Sequence, residues 1–379
     1  MRFVLVAVLL FCKIAEGQTP SAVFDLRQAD SLFAIGAYQE AIAIYKEIEG
    51  AEKQLAEVYA TIGNKTKARA YYKAYIISHD NHVREQFQYA KLSYEMGYLT
   101  VADSLFQSLI QAHPTNATYL YYSGMLQENS SDSLATETYK KVLQLAPLHT
   151  DAMYKVARYT LQKRNFKKAD SIVSIGLTVD PESRRFLNLS ALLHFHTEQY
   201  DEAISLYQNL LDRNYDTVQL RENLAECYVE TLQFEAAIDQ YNHLVKAYGD
   251  DNAEWHYQLG LANMSLRYDD VAEKHFKRAL VLQDIPVDYL YLSLATLYNK
   301  QKKYKEAYQA FQQGIKENPE NELAVFMLAT AADNYFSDKS LIIKHYQNYL
   351  GQFGDKGRFS ELCQRRIRDL KEAIHFEGN

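Results

Sequence analysis

Among the side chains able to do chemistry, two histidine pairs stand out. His194 and His196 flank Phe195 in the string HFH, and His79 and His82 bracket the string HDNH. Neutral imidazole is a common metal ligand, but a pair must converge on one point to hold an ion. On a strand, His194 and His196 would share a face. On a helix they point about 200° apart and cannot share a metal. His79 and His82 have helix-compatible spacing but fall at a junction between periodic segments. Both pairs read as packed or surface side chains, and no metal or other cofactor is expected. The strings G-x-S-x-G, H-E-x-x-H and G-x-G-x-x-G do not occur. Carboxylate pairs such as Asp201 and Glu202 stand where a helix would begin, and there negative charge complements the helix dipole. The stretch GQFGDKG (Gly351–Gly357) lacks the Lys-Ser/Thr ending of a phosphate loop and reads as a linker. Cys227 and Cys363 are far apart in the chain and predict two buried free thiols rather than a disulfide. No catalytic residue is assigned, and the chain reads as non-enzymatic.

The elements that carry these residues follow from composition and period. Only 14 glycines and 6 prolines occur in 379 residues, which disfavours a turn-rich β fold. Tyrosine is abundant at 31, and its large apolar ring with a polar tip suits half-buried helix faces and recognition surfaces. The net charge of −7 without a basic block argues against nucleic acid as a partner, since phosphate affinity needs clustered Lys and Arg. Arg2 precedes the apolar run FVLVAVLLF (Phe3–Phe11), which is shorter than the about 20 residues that span a bilayer. With small residues around AEGQ (Ala15–Gln18), residues 1–17 read as a secretory signal cleaved after Gly17. Cys12 ends the apolar core. A lipoprotein signal also has a cysteine there, but after a small residue, whereas here Phe11 precedes it. No other run is long enough to predict an integral membrane span.

A short phrase recurs: YQEAIAIYKEIE at 38–49, YDEAISLYQNLL at 200–211, YKEAYQAFQQGI at 304–315. Its alanine appears at Ala41, Ala68, Ala102, Ala135, Ala169, Ala203, Ala237, Ala272 and Ala307, a period near 34 after a first step of 27. Four residues later stands a bulky side chain: Tyr45, Tyr72, Phe106, Tyr139, Val173, Tyr207, Tyr241, Phe276, Phe311. That spacing puts both on one helical face. Twelve residues before each alanine is another small residue, such as Ala29, Ala56, Ser123 and Gly260. Pro114, Pro147, Pro181 and Pro319 close repeats. The unit is a helix–turn–helix pair that cannot bury its apolar face alone and stacks on its neighbours. The short first step predicts that the second helix of repeat one ends early, near Gly50.

This pattern resembles the tetratricopeptide repeat and covers nearly all of the chain after the signal. The fold expected is all-α: a right-handed solenoid of about ten stacked helical hairpins. Nine repeats are clear, and a weak tenth over 322–353 has Ile342 in place of the alanine. The array spans 18–353, and 354–379 form a linker and a C-terminal capping helix with Phe359, Leu362, Ile367, Leu370 and Ile374 at helical spacing. The resemblance implies that the first helix of each pair lines a concave groove for a protein or peptide partner. Carried onto this sequence, the groove face includes Arg84, Phe87, Lys91, Tyr94, Leu120, Gln127, Tyr154, Arg158, Phe195 and Tyr257. Aromatic anchors mixed with cations suit protein recognition, and the stretch Arg84–Arg158 predicts an acidic partner segment or a free carboxylate. A carboxylate clamp found in one variant of the family is incomplete, because Glu57 follows Lys53 where asparagine is needed.

Triplets such as DSL at 30–32 and DSI at 170–172 look like the O-glycosylation signal of certain Gram-negative envelope proteins. In helices of the repeat such triplets are also plain polar filler; the period and the signal lead to an exported, periplasmic scaffold or adaptor for a protein partner, and the Gram-negative assignment rests on resemblance. Two alternatives stay open: a subunit of an outer-membrane assembly or secretion complex, or a glycan-binding envelope protein.

Overall fold

The structure is a computed structural model that describes residues 20–79, 82–282 and 287–377. The signal reading, Cys12 and the cleavage site lie outside the described residues. The chain is an all-α repeat solenoid and divides into two compact units, one up to Asp180 and one from Pro181 onward.

The first unit holds five hairpins: α1 (Pro20–Ala34) with α2 (Tyr38–Lys46), α3 (Glu52–Thr61) with α4 (Lys65–Ser78), α5 (Val83–Glu95) with α6 (Leu99–Ala112), α7 (Ala117–Gln127) with α8 (Asp132–Leu145), and α9 (Thr150–Gln162) with α10 (Phe166–Val179). The second unit holds five more: α11 (Arg184–His196) with α12 (Tyr200–Asp212), α13 (Val218–Glu230) with α14 (Phe234–Tyr248), α15 (Ala253–Ser265) with α16 (Asp269–Leu282), α17 (Val287–Lys300) with α18 (Tyr304–Glu317), and α19 (Glu322–Tyr335) with α20 (Lys339–Phe353). After it, α21 (Ser360–Glu377) packs Cys363, Ile367 and Leu370 into the core formed by α19 and α20.

The repeating residues are the core. All nine phase-setting alanines are 0–1% exposed, and the bulky residues four positions on are at most 5% exposed. Small residues on the facing helix let these rings lie against its backbone. A Cβ on Gly260 would stand 2.5 Å from the Phe276 ring, so only glycine fits. In the fourth hairpin the same role falls to Gly124, where a Cβ would meet the Tyr139 ring at 2.6 Å, one residue beyond the position of Ser123. Tyrosine serves this site because its hydroxyl finds an acceptor. Tyr45 donates to Asp30 at 2.6 Å, Tyr139 to Glu128 at 3.0 Å and Tyr346 to Asp333 at 3.1 Å. A buried phenol is thereby satisfied without leaving its apolar bed.

Each end of a helix has a local cause. Asn252 and Asn321 accept from the backbone N–H three residues on, and Thr217 does the same, fixing the starts of α15, α19 and α13. Such caps are worth about 1 kcal/mol each. In eight of the ten hairpins the inner turn closes on a left-handed residue. It is glycine in the first three hairpins (Gly36, Gly63, Gly97) but Arg164, Glu198, Leu232, Arg267 and Lys302 in the fifth to ninth. The helix α2 ends at Lys46, four residues before Gly50. There Glu47 N–H bonds the Ile44 carbonyl at 3.0 Å and Ile48 N–H the Tyr45 carbonyl at 3.2 Å, so the last turn tightens to i→i+3 bonding. Ala51 and Leu55 then complete one core with Ala41 and Tyr45. Ile342 fills the place of the missing tenth alanine and is 3% exposed.

Candidate partner-binding surfaces

In the first unit, the residues assigned to a groove are largely engaged with their own neighbours. The Phe87 ring sits among those of Phe106, Tyr119 and Tyr122, with centroids 6.2, 5.4 and 5.6 Å away. Tyr94 meets Tyr122 edge-on at 6.1 Å. Leu120 packs on the core around Tyr139, and Gln127 accepts from the Thr138 hydroxyl at 2.6 Å. The cations are near carboxylates: Arg84 lies 3.7 Å from Glu57, Lys91 4.0 Å from Glu95, and Lys155 2.9 Å from Glu128. Tyr154 is half-buried on α9, and Arg158 is exposed one turn further on. The basic character of this stretch is therefore mostly offset within the unit.

His79 and His82 both pack on Tyr75, with centroids 4.3 and 4.8 Å from its ring. His194 bonds the Gln199 side chain. Cys227 and Cys363 are buried free thiols.

In the second unit, Phe195 packs beside Tyr200 on the core around Tyr207. Tyr257 lies against Phe276, and its hydroxyl is 3.4 Å from that of Ser293. Around these, two cavities open on the first helices of the hairpins.

The first cavity, of about 410 Å³, lies between α13 and α15, with Tyr241 of α14 among its lining residues. Glu222, Glu226, Glu230, Glu254, Trp255 and Gln258 line it. Trp255 Nε1–H donates to Glu222 at 2.7 Å, and Gln258 donates to Glu254 at 2.7 Å. Among the described residues, no cation is paired with Glu226 or Glu230, which stand one helical turn apart. Partial withdrawal from water, and then the like charges of Glu230 and Glu254, raise the Glu226 carboxyl above its ordinary value. Burial, and then the charges of Glu226, Glu254 and Glu222, raise the Tyr241 phenol as well.

The second cavity, of about 690 Å³, opens between α15, α17 and α19 and is predominantly apolar. Met264, Leu292, Met327 and the Phe311 ring line it, and Tyr289 and Leu323 stand on it 55% and 45% exposed. Both cavities share α15.

Charge follows the same helices. On α13, α15, α17 and α19 the acids are Glu222, Glu226 and Glu230, then Glu254, Asp288, and Glu322 with Asp333, against the cations Arg221 and Lys300. Arg221 is held by Asp216 through two bonds of 2.7 and 2.8 Å. These four helices are thus acid-dominated, whereas α11 carries Arg184 and Arg185 and no acid, and Asp333 is paired with Arg366 of α21.

Tyr257, assigned from spacing, shares α15 with the cavity residues Met264 and Trp255 but lines neither cavity. The carboxylates and the Tyr289–Leu323 mouth were missed. Glu222, Glu226 and Glu230 do stand four residues apart, a usable signal, but only folding brings Glu254 and Trp255 to them from the next repeat. Among the described residues no group of three or more His, Cys, Asp or Glu is placed to hold a metal, and no helix is long and apolar enough to cross a membrane.

Residues 154–214, 194–260 and 289–321 match three tetratricopeptide repeat family profiles. Over 306 residues the chain is 22% identical to the BBSome complex member BBS4 of Bos taurus, covering 79% of this chain and 52% of that one. The chain therefore spans about half the length of the curated relative it matches. Among solved structures, it is similar to a tetratricopeptide repeat protein from Parabacteroides merdae, with 19% identity, 67% of this chain and 98% of that one covered, and a TM-score of 0.45. It is also similar to YrrB, described as a tetratricopeptide repeat protein with an unusual peptide-binding site, with 16% identity, 50% and 97% coverage, and a TM-score of 0.46.

Proposed function

We propose, from the premise that this chain is a tetratricopeptide repeat protein, that it is a non-enzymatic scaffold that holds a segment of a protein partner on the first helices of its second unit. The observation that carries this reading is the apolar cavity between α15, α17 and α19. The phase-setting alanines and rings are consumed in the core, yet here Met264, Leu292 and Met327 form a hollow that the chain leaves open. A partner side chain the size of leucine gains about 1.5–3 kcal/mol on leaving water for such a site. Ser293, Thr296, Asn318 and Asn321 supply polar groups along the same hollow, the mix that fixes a bound chain in one orientation.

The test is selection of displayed random peptides on the full chain, repeated on the double variant Tyr289→Asp/Leu323→Asp. Both positions are exposed, so the variant keeps its helical content and unfolding midpoint. Peptides enriched on the wild type and lost on the variant support the reading. A library that yields no chain-specific peptide, or peptides indifferent to the variant, overturns it.

We also read the scaffold as exported to the cell envelope, supported by Arg2, the apolar run Phe3–Phe11 and the small residues near Gly17. The mass of the chain's N-terminus after expression in a Gram-negative host checks it: a start at Gln18 is expected, and retention of residues 1–17 would sink the export reading.

A further inference from the structure

We infer that the segment bound by the second unit is a basic peptide with an apolar anchor: an Arg or Lys side chain enters the carboxylate-lined cavity between α13 and α15, and an apolar side chain fills the cavity between α15, α17 and α19. This rests on the scaffold reading above and adds the chemistry of the partner.

The apolar cavity sets one half of the recognition. Its Met264 and Met327 side chains are unbranched and adapt to aliphatic or aromatic shapes. Charge complementarity sets the other half. The four first helices around the two cavities carry seven carboxylates and two cations; of these, Arg221 is committed to Asp216, and Asp333 is paired with Arg366 of α21. Glu226 and Glu230 face the first cavity with no counter-charge among the described residues, and Glu254 approaches them from α15. Three like charges around a hollow repel one another, and a cation placed between them relieves that repulsion while an anion adds to it. Trp255, 6% exposed, is held by its bond to Glu222 and gives the cavity an aromatic wall, a surface that favours a guanidinium.

Geometry ties the halves together. Both cavities border α15. Packed helices lie about 8–10 Å apart, so the two hollows are one to two helix spacings from each other, about 10–20 Å. An extended chain advances about 3.3 Å per residue, which places the cation and the apolar anchor about three to six residues apart in the peptide.

The experiment uses fluorescein-labelled peptides of alanine and serine carrying one Arg and one Leu three to six residues apart, titrated onto the full chain by fluorescence anisotropy. Parallel sets carry Gln or Glu for Arg, and Ala for Leu. The Arg–Leu peptides are expected to bind, more weakly as salt rises. The Glu–Leu peptides are expected to fail, and the Arg–Ala peptides to lose affinity. On Glu226→Gln/Glu230→Gln the Arg–Leu peptides weaken about tenfold, and the Gln–Leu peptides are unchanged. Relief of repulsion predicts that this variant unfolds no more easily than the wild type, so lost binding is not lost folding. If Glu–Leu peptides bind as well as Arg–Leu peptides, or the glutamine variant binds Arg–Leu peptides unchanged, the charge assignment is overturned while the scaffold stands. If peptides of every charge fail, both readings fall together.

Discussion

The imidazoles of His256 and His275 face each other Nδ1 to Nδ1 at 3.0 Å, their rings 5.3 Å apart and 27° from parallel. His256 lies 3.1 Å through Nε2 from the Asp250 carbonyl, an atom that only accepts. Its Nε2 therefore carries the proton, its Nδ1 accepts, and His275 Nδ1–H donates. The pair joins α15 to α16 and accommodates one proton between the facing nitrogens. Arg278 bonds the Asp250 carbonyl as well, at 3.0 Å, so positive charge already stands close by.

This arrangement fixes a pH dependence. Burial, and then the presence of His256, hold His275 below the ordinary histidine value, and burial does the same to His345. The unfolded chain takes up these protons first, near pH 6.5. Their stabilisation is full above that pH and is lost as pH falls from it toward the depressed folded values. The urea midpoint should fall between pH 7.5 and 5.5, and His275→Gln should flatten that slope. An equal slope in the variant would refute the assignment.

Gly260→Ala should destabilise the eighth hairpin by about 1–3 kcal/mol, although alanine is the better helix former by about 1 kcal/mol. The added methyl meets the fully buried Phe276 ring at 2.5 Å. Faster amide exchange confined to α15, α16 and their neighbours is the expected readout, since stability is local in a repeat array.

The turns allow a mirrored pair of substitutions. Leu232 is left-handed at φ 59° and 72% exposed, so Leu232→Gly relieves backbone strain and gives up no packing. It should raise the urea midpoint, the unfolding free energy gaining a few tenths to about 1 kcal/mol after the added freedom of the unfolded chain. Gly97, at φ 80° with open space around its Cβ position, should lose about 1 kcal/mol when changed to alanine. Equal signs for the two would contradict the account.

Burial, and then the charge of Glu226, push the Cys227 thiol up to about 12, and burial pushes Cys363 up to about 11. The thiolate is the reactive form. At pH 8 iodoacetamide should therefore leave both unmodified in the folded chain and alkylate both in urea. Prompt labelling of Cys227 in the native protein would contradict its place in the core.

Much of this architecture is written in the chain because one packing solution is repeated. Ala203 and Tyr207 mean the same as Ala41 and Tyr45, and errors in one copy are corrected by the next. The exceptions are local backbone events. The spacing announces that α2 ends early, but its end at Lys46 rather than near Gly50 is set by i→i+3 bonds, and at the Tyr139 ring Gly124 takes the place expected of Ser123. The recognition surface was less legible. Phe87 and Tyr257 have the spacing of a groove face, but the same spacing serves the seam between hairpins, where Phe87 meets Tyr119 and Tyr122. Glu226 and Glu254 look like ordinary solvated carboxylates until neighbouring repeats bring them to one hollow.

The tyrosine hydroxyl bonds carry a consequence for how such a chain changes length. Asp30 and Tyr45 belong to one hairpin, as do Glu128 and Tyr139, and Asp333 and Tyr346. A duplicated copy of any of these brings its own acceptor, so it can be inserted or lost without orphaning a phenol. The sixth hairpin is tied differently, because Tyr207 accepts from Asn223 of the seventh at 3.1 Å. A copied first, fourth or tenth hairpin therefore keeps its phenol paired, whereas loss of the seventh would take from Tyr207 its Asn223 donor.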